Sequence, residues 1–254
     1  GGIMTNAKHW LLVGMSIGCV CLGMAQEKGL IIGHRGGRFE FEENTLAAFR
    51  DSYAAGTRGF ETDVRMTKDG VLVILHNDTV DEIFQGHGSV EDMTAEEIRR
   101  LSSRKGGQPL LFLDELVAFL ADKPGLYVEF EMKTSNRKLY PDERIEPYCR
   151  AIHAAVTARQ PNGSVYTLTS FDTRALKFLH DIFPGTDIGL ISSGPVCPEI
   201  VKKAKALGSK RIACAKDTTS RSAVAAAQKE GMIVNGWPNA TIQDLALSAG
   251  LGFD

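Results

Sequence analysis

The chain has 254 residues, of which 43% are hydrophobic and 24% are charged, and its formal net charge is −2 at pH 7. These values are typical of a globular protein, and α/β barrels of about 200–250 residues often form one domain. The lack of a basic excess argues against a general nucleic-acid or anionic-membrane binder, because such partners need many positive charges.

The first 25 residues read as an export signal preceded by three extra residues. Gly1–Ile3 stand ahead of the first methionine, and a polar stretch with Lys8 leads into an apolar run that ends at Ala25. A basic start, an apolar centre and small residues before a cut are typical of a secretory signal. We therefore expect a periplasmic or secreted protein whose mature chain is residues 26–254. A lipid anchor at Cys19 or Cys21 is the weaker alternative.

Three cysteines follow this segment: Cys149, Cys197 and Cys214. Their number is odd, their spacing is wide, and they form no C-x-x-C motif, so they predict neither a disulfide framework nor a metal site. We expect buried single thiols. One disulfide in an oxidising compartment is the alternative.

Strand-like and helix-like segments alternate from Gly29 onward. The predicted strands are Leu30–His34, Gly59–Val64, Val71–His76, Leu126–Lys133, Val165–Ser170, Asp187–Ile191, Arg211–Cys214 and Met232–Asn235. The predicted helices are Asn44–Ala55, a segment beginning at Thr94, Asp114–Leu120, Arg144–Ala158, Thr173–Phe183, Pro198–Leu207, Ser220–Lys229 and Ile242–Ala249. The turn at Lys68–Gly70 makes the third strand the return arm of a hairpin.

This alternation predicts βαβ units and a parallel sheet. Without the hairpin arm, seven strands each precede a helix, whereas a closed barrel needs eight. The chain stops at Gly252–Asp254, where the eighth strand would begin. We therefore expect a TIM (β/α)8 barrel that lacks its C-terminal final strand and forms one domain over residues 26–254. A doubly wound open sheet is the alternative.

Charged residues recur with period two on two of these strands. Glu61 and Asp63 share one face of their strand, and Glu131 and Lys133 share one face of another. Because the opposite faces are apolar, we expect the charged faces to look into the barrel or its mouth. Carboxylates placed there repel one another unless a divalent cation lies between them, and an all-oxygen set suits Mg²⁺ or Ca²⁺. A buried network of salt bridges is the alternative.

Two histidines end predicted strands at the side where barrel active sites form. Of His34 and His76, one could take a proton from a nucleophile while the other protonates a leaving alkoxide. Arg35 offers fork-like donors to phosphate oxygens, and Lys133 adds a point charge. We assign no chemistry to the histidines in a loop and on helices, which are His87, His153 and His180.

The chain carries several short motifs in order: HRG at His34–Gly36, ENT at Glu43–Thr45, E-x-D at Glu61–Asp63, T-x-D-G at Thr67–Gly70, a strand ending at His76, E-x-K at Glu131–Lys133 and the pair Ser170-Phe171. In this order they resemble the glycerophosphodiester phosphodiesterase family, over nearly the whole chain from Leu30. One motif alone would be weak evidence, but the ordered set is specific.

The resemblance implies a TIM barrel that hydrolyses small-molecule glycerophosphodiesters to glycerol 3-phosphate and an alcohol. The glycerol 2-hydroxyl would attack internally, giving a cyclic phosphate that water then opens. The resemblance assigns acid/base catalysis to His34 and His76, one divalent cation, Mg²⁺ or Ca²⁺, to Glu61, Asp63 and Glu131, and the phosphate to Arg35 and Lys133. It also places Trp237 beside the substrate, with a structural role at the barrel rim as the alternative.

The chain departs from the family pattern in three ways. Asn77 stands where the family has an aspartate after its second histidine, and Asp78 could substitute for it in a shifted loop. Glu82 stands where a basic residue is common, which would change the preferred leaving group. The missing final strand leaves two sheet edges unpaired.

Two other functions stay open from the sequence alone. A related barrel phosphodiesterase could act on lysolipid diesters, but that would call for an exposed apolar rim, and the loop 84–90 is mostly polar. A non-catalytic glycerophosphodiester-binding protein would agree with the changes at Asn77 and Glu82. Both histidines and all three carboxylates are present, which favours the enzyme.

Overall fold

The computed structural model of the chain describes residues 29–254. The expected export signal in residues 1–25, with Cys19 and Cys21, lies outside the described residues. Within the described part, no helix is both long and apolar enough to cross a membrane. Its three cysteines are free; Cys149 and Cys214 are buried, as expected, whereas Cys197 is partly exposed.

Strands and helices alternate along the chain as predicted. The strands are β1 Ile32–Gly33, β2 Gly59–Met66, β3 Leu72–Ile74, β4 Tyr127–Met132, β5 Val165–Ser170, β6 Ile188–Ile191, β7 Arg211–Ala215 and β8 Ile233–Trp237. The helices are α1 Leu46–Ala54, α2 Ala95–Ile98, α3 Leu113–Leu120, α4 Asp142–Thr157, α5 Thr173–Ile182, α6 Pro198–Ala206, α7 Arg221–Lys229 and α8 Ile242–Leu251.

Seven parallel strands lie side by side in the order β1-β2-β4-β5-β6-β7-β8, and β3 pairs antiparallel with β2. This unbroken order is that of a barrel, because a doubly wound sheet reverses its order part-way. Among the described residues, β1 and β8 form the two ends of the sheet, so the predicted barrel without a final strand is confirmed. Beside β8, the Asp254 N–H donates to the Val234 carbonyl at 3.0 Å.

The first strand is shorter than predicted. Leu30 and Ile31 are 44% and 62% exposed, and only Ile32 and Gly33 pair with β2. The chain then turns into a short 3₁₀ helix, His34–Gly36, so the His-Arg-Gly motif follows the strand and does not end it. This turn brings the motif against β2, where the Arg35 N–H donates to Glu61.

Side chains alternate on the barrel strands as period two requires. On β4, Val128, Phe130 and Met132 are buried in the main apolar core, while Glu129 and Glu131 lie on the opposite face. A second, smaller apolar core lies under the segment that follows β3. Its buried members are Val73, Leu75, Val80, Phe84, Val90, Ile98, Leu110 and Phe112.

Candidate active site

The register of β2 and β4 brings three carboxylates together. In this parallel pair Glu61 lies opposite Glu129, and Asp63 lies opposite Glu131. Oxygen atoms of Glu61, Asp63 and Glu131 all lie within 4.8 Å of one another. These are the three carboxylates that the sequence nominated for a metal.

The oxygen atoms of this cluster fit a hard divalent cation. Glu61 Oε1 and Asp63 Oδ1 are buried and have no hydrogen-bond partner among the described residues. Buried polar atoms are nearly always satisfied, so two such oxygens side by side indicate a missing partner. A donor set made only of carboxylate oxygens suits Mg²⁺ or Ca²⁺ better than Zn²⁺.

The pKa values of the three carboxyl groups also show how burial and mutual repulsion affect the cluster. Burial, then the nearby Asp63 and Glu131, raise the pKa of Glu61 well above its usual range. Burial and the charge of Asp63 likewise raise the pKa of Glu131 to about 7. Burial would also raise the pKa of Asp63, but Lys133, His76 and Arg35 hold it below its usual value. Two of the three carboxyl groups therefore resist ionisation in the protein without a cation.

Two cations border the cluster but do not neutralise it. Lys133 Nζ donates to Glu131 Oε1 at 2.8 Å and lies 3.5 Å from Asp63 Oδ1. Arg35 Nε lies 3.6 Å from Asp63 Oδ2, while its Nη1 donates to Glu43 at 2.9 Å. The salt-bridge network considered from the sequence is thus present, but it offers two cations to three carboxyl groups, and Arg35 also pairs with Glu43.

Arg35 adopts a conformation that non-glycine residues rarely take. Its φ is +52° and its ψ is +40°, in the left-handed region. Its N–H donates to Glu61 Oε2 at 2.9 Å, and its carbonyl accepts from the Asn44 N–H at 2.9 Å. The backbone of the His-Arg-Gly turn is therefore held by the carboxylate cluster itself. The next residue, Gly36, has φ +76°, and a Cβ there would crowd the Phe49 ring at 3.2 Å.

Asn44 is a site residue to which the sequence analysis gave no role. Its Nδ2 donates to Asp63 Oδ2 at 2.9 Å, and its backbone is also left-handed, with φ +56°. In the same E-N-T motif, Glu43 accepts from Arg35, and the Thr45 hydroxyl caps α1. The available sequence signal was the asparagine in the E-N-T motif, because asparagine tolerates a left-handed φ better than most residues.

The two histidines lie at the same end of the sheet as the carboxylates. His34 Nε2 is 3.6 Å from Glu61 Oε2, and its side chain is 43% exposed. Burial, together with the Arg35 guanidinium, lowers the pKa of His34 below its usual value. Burial and the charge of Lys133 also lower the pKa of His76. Burial therefore favours the neutral form of both rings before substrate binds, and neutral imidazole is the form that accepts a proton.

His76 lines a cavity of about 810 Å³. The cavity is also lined by Glu131, Lys133 and Phe171. Trp237, nominated from the sequence, supports this wall indirectly, because its ring meets Phe171 edge-on at 6.0 Å. Phe171 is 38% exposed, so it is the aromatic residue that the structure places on the cavity surface.

The loop after His76 differs from the arrangement considered from the sequence. Asp78 does not take the place of the missing aspartate beside His76. Its oxygens accept from Arg65 at 2.6 Å and from Asn136 at 2.8 Å. Asn77 contacts the ring instead, with Oδ1 3.0 Å from His76 Nδ1.

Arg65 is a second residue without a role in the sequence analysis. It continues the period-two series of Glu61 and Asp63, and its side chain is 2% exposed. Its guanidinium donates to Glu91 Oε1 at 3.0 Å and to the His76 carbonyl at 2.9 Å. Arg65 thereby fixes the backbone that carries His76.

The fold and the site define a barrel protein with a carboxylate cluster and two histidines at the same end of the sheet. Residues 34–250 match the model of the glycerophosphoryl diester phosphodiesterase family, and the chain belongs to that family. It is 41% identical over 120 residues to a glycerophosphodiester phosphodiesterase of Caldanaerobacter subterraneus subsp. tengcongensis. It is 45% identical over 71 residues to glycerophosphodiester phosphodiesterase 1 of Homo sapiens.

These matches cover part of each relative: 49% of the bacterial protein and 22% of the human one, or 45% and 28% of this chain. Solved structures agree over more of the fold. A phosphodiesterase of Oleispira antarctica, solved with the product sn-glycerol-3-phosphate, has a TM-score of 0.81 at 19% identity and covers 89% of this chain and 91% of its own. A glycerophosphodiester phosphodiesterase of Parabacteroides distasonis has a TM-score of 0.70 at 19% identity, with coverages of 89% and 91%.

Proposed function

We propose that this protein is a metal-dependent phosphodiesterase that hydrolyses glycerophosphodiesters to glycerol 3-phosphate and an alcohol. The observation that carries the proposal is the cluster of Glu61, Asp63 and Glu131, whose oxygens are within 4.8 Å of one another and partly unpartnered. Membership of the family supplies the substrate class. We also propose that the catalytic domain is residues 26–254 and that the protein is exported.

The three carboxylates would hold one divalent cation, Mg²⁺ or Ca²⁺. When bound, the ion supplies positive charge that offsets the negative charge of the phosphodiester and of the transition state. Lys133 and Arg35 would hold phosphate oxygens, because both lie within 4 Å of Asp63 and so border the proposed cation site. Their existing ion pairs keep their side chains in place before substrate arrives.

The histidines would move the protons. One neutral imidazole takes the proton of the glycerol 2-hydroxyl as its oxygen attacks phosphorus. The bond from phosphorus to the leaving alcohol breaks, and the other histidine, protonated, gives its proton to the departing oxygen. Water then opens the cyclic phosphate with the proton transfers reversed, and glycerol 3-phosphate is released.

The test is release of glycerol 3-phosphate from glycerophosphocholine and glycerophosphoethanolamine with Mg²⁺, with Ca²⁺ and with chelator. We expect release that needs the metal and is lost in E131Q. The control E40Q removes an exposed carboxylate that lies outside the cluster and should keep full activity. A folded protein that binds metal and releases nothing from either diester would contradict the proposed substrates.

The binding-protein alternative is separated from the enzyme by H34A. Under the enzyme proposal turnover falls by roughly 10²–10⁴-fold, the usual contribution of a positioned acid or base. A binding protein would show no turnover to lose, and its ligand affinity would stay unchanged. The matched control is H87A, because His87 is 86% exposed in a surface loop.

Exposed aromatic side chains favour one second candidate substrate, a lysolipid diester. Phe39 is 61% exposed and Phe171 is 38% exposed. In the loop 84–90 that the sequence analysis considered, Phe84 and Val90 are buried and present no apolar rim. The test compares turnover of lysophosphatidylcholine and of glycerophosphocholine in the parent and in F39S. Faster turnover of the lysolipid in the parent, with the order reversed in F39S, would favour the lysolipid. Faster turnover of glycerophosphocholine in the parent would exclude the lysolipid as the preferred substrate.

A further inference from the structure

A short series of hydrogen bonds connects His76 to the loop that follows β3. His76 Nδ1 lies 3.0 Å from Asn77 Oδ1, and Asn77 Nδ2 donates to Glu82 Oε2 at 2.8 Å. All three residues line the cavity that also contains Glu131 and Lys133. The series therefore forms part of the wall of the proposed active site.

Donor and acceptor chemistry gives this series a direction. A carboxylate has only acceptor atoms, whereas an amide has a donor at one end and an acceptor at the other. Glu82 therefore requires the NH₂ group of Asn77, which leaves the Asn77 oxygen to face His76. Since that oxygen can only accept, Nδ1 of a neutral His76 must carry the proton, and Nε2 must hold the lone pair.

We propose that Glu82, acting through Asn77, is a positioning residue that fixes His76 in the Nδ1-protonated tautomer. The Nε2 lone pair is then the one available for acid/base chemistry. The catalytic consequence of this inference rests on the proposed function, but the location of the proton on the ring does not.

Two other polar side chains near His76 form hydrogen bonds with groups other than its ring. Asp78 accepts from Arg65 and Asn136, and Arg65 contacts the carbonyl of His76, not its ring. Among the described residues, Asn77 supplies the one hydrogen bond to the imidazole. The identity and orientation of that single amide therefore decide the tautomer.

The experiment compares parent, E82Q and N77D/E82Q proteins, with E40Q as the control for loss of an exposed charge. Nitrogen-15 chemical shifts of the His76 ring at pH 8, assigned with H76Q, report which nitrogen is protonated. The same proteins are assayed for kcat and KM on glycerophosphocholine.

We expect the Nδ1-protonated form in the parent and in E40Q. In E82Q, a glutamine can turn either end of its amide towards Asn77, so a mixture of tautomers should appear. Its kcat should fall about fivefold, the factor that one ordinary hydrogen bond controls, with KM unchanged. In N77D/E82Q an aspartate at 77 can only accept from His76, and the glutamine at 82 donates to it, so tautomer and kcat should recover.

An Nε2-protonated His76 in the parent, or one tautomer and one kcat shared by parent and E82Q, would overturn the inference. The proposed function fails separately. If no protein hydrolyses the diester but the ring shifts respond to E82Q and recover in N77D/E82Q, the positioning is supported while the activity is not. Normal turnover with ring shifts unchanged in E82Q supports the activity and removes the positioning role.

Discussion

Asp63 lies directly opposite Glu131 in the parallel pair β2–β4, and Lys133 is the one lysine that contacts both carboxylates in the described part of the chain. Lys133 Nζ is 2.8 Å from Glu131 and 3.5 Å from Asp63. Glu61 adds a third carboxylate to the same space. One ammonium group is shared by neighbouring negative charges, so a divalent cation bound there would lower the energy of the folded state.

Added Mg²⁺ or Ca²⁺ should therefore stabilise the folded protein. At a metal concentration about 100 times the Kd, the gain is roughly 2.7 kcal/mol in free energy of unfolding. Thermal unfolding with increasing metal should show a rising Tm in the parent and in E40Q, and little change in E131Q. An equal rise in all three proteins would mean that the ion binds elsewhere.

The charge of Glu131 should make the metal-free protein less stable as pH rises. Its pKa is raised to about 7 in the folded state by burial and by Asp63, from an ordinary value of 4.5. Between these values the folded state holds a proton that the unfolded state has released, so the free energy of unfolding falls as pH increases. We expect urea unfolding with chelator to show that, from pH 4.5 to 7, the free energy of unfolding of the parent falls relative to that of E131Q. A difference that moves the other way would contradict the assigned direction.

Asn44 should be required both for its amide and for its backbone conformation. N44G keeps access to φ +56° but loses the hydrogen bond to Asp63, and a hydrogen bond to a charged group contributes roughly 1.5–3 kcal/mol. N44A loses the bond and also strains the backbone, at an added cost of about 1–2 kcal/mol. Urea denaturation should rank the parent above N44G and N44G above N44A. Equal stability of the two variants would remove the backbone argument.

Cys149 should resist alkylation while the protein is folded. Burial, with the charge of Asp172, raises the pKa of its thiol to about 12, so almost no reactive thiolate exists at pH 8. Cys197 is partly exposed and should react first. Iodoacetamide labelling followed by peptide mass analysis would show the order, with labelling in urea as the reference. Rapid native labelling of Cys149 would contradict its burial.

The main lines of the fold could be read from the sequence because periodicity is a local property. The period-two pattern on β2 and β4 predicted which side chains face the interior of the barrel. The count of seven parallel strands predicted a barrel that is one strand short. The sequence analysis extended β1 to His34, whereas the structure begins a 3₁₀ turn there, in which the Arg35 N–H donates to Glu61, 26 residues away. A local sequence pattern does not reveal a contact between residues so far apart in the chain.

The residue types of the proposed site were predicted from the sequence: two histidines, three carboxylates and two cations, each on a strand or after one. The contacts among these side chains depend on the tertiary structure. It placed Asn44 on Asp63, directed Asp78 to Arg65 and left Asn77 to contact His76. The direction of a side chain along a strand follows from the backbone of that strand alone. The distance between two side chains depends on strand register and loop conformation, which form only when the whole barrel packs.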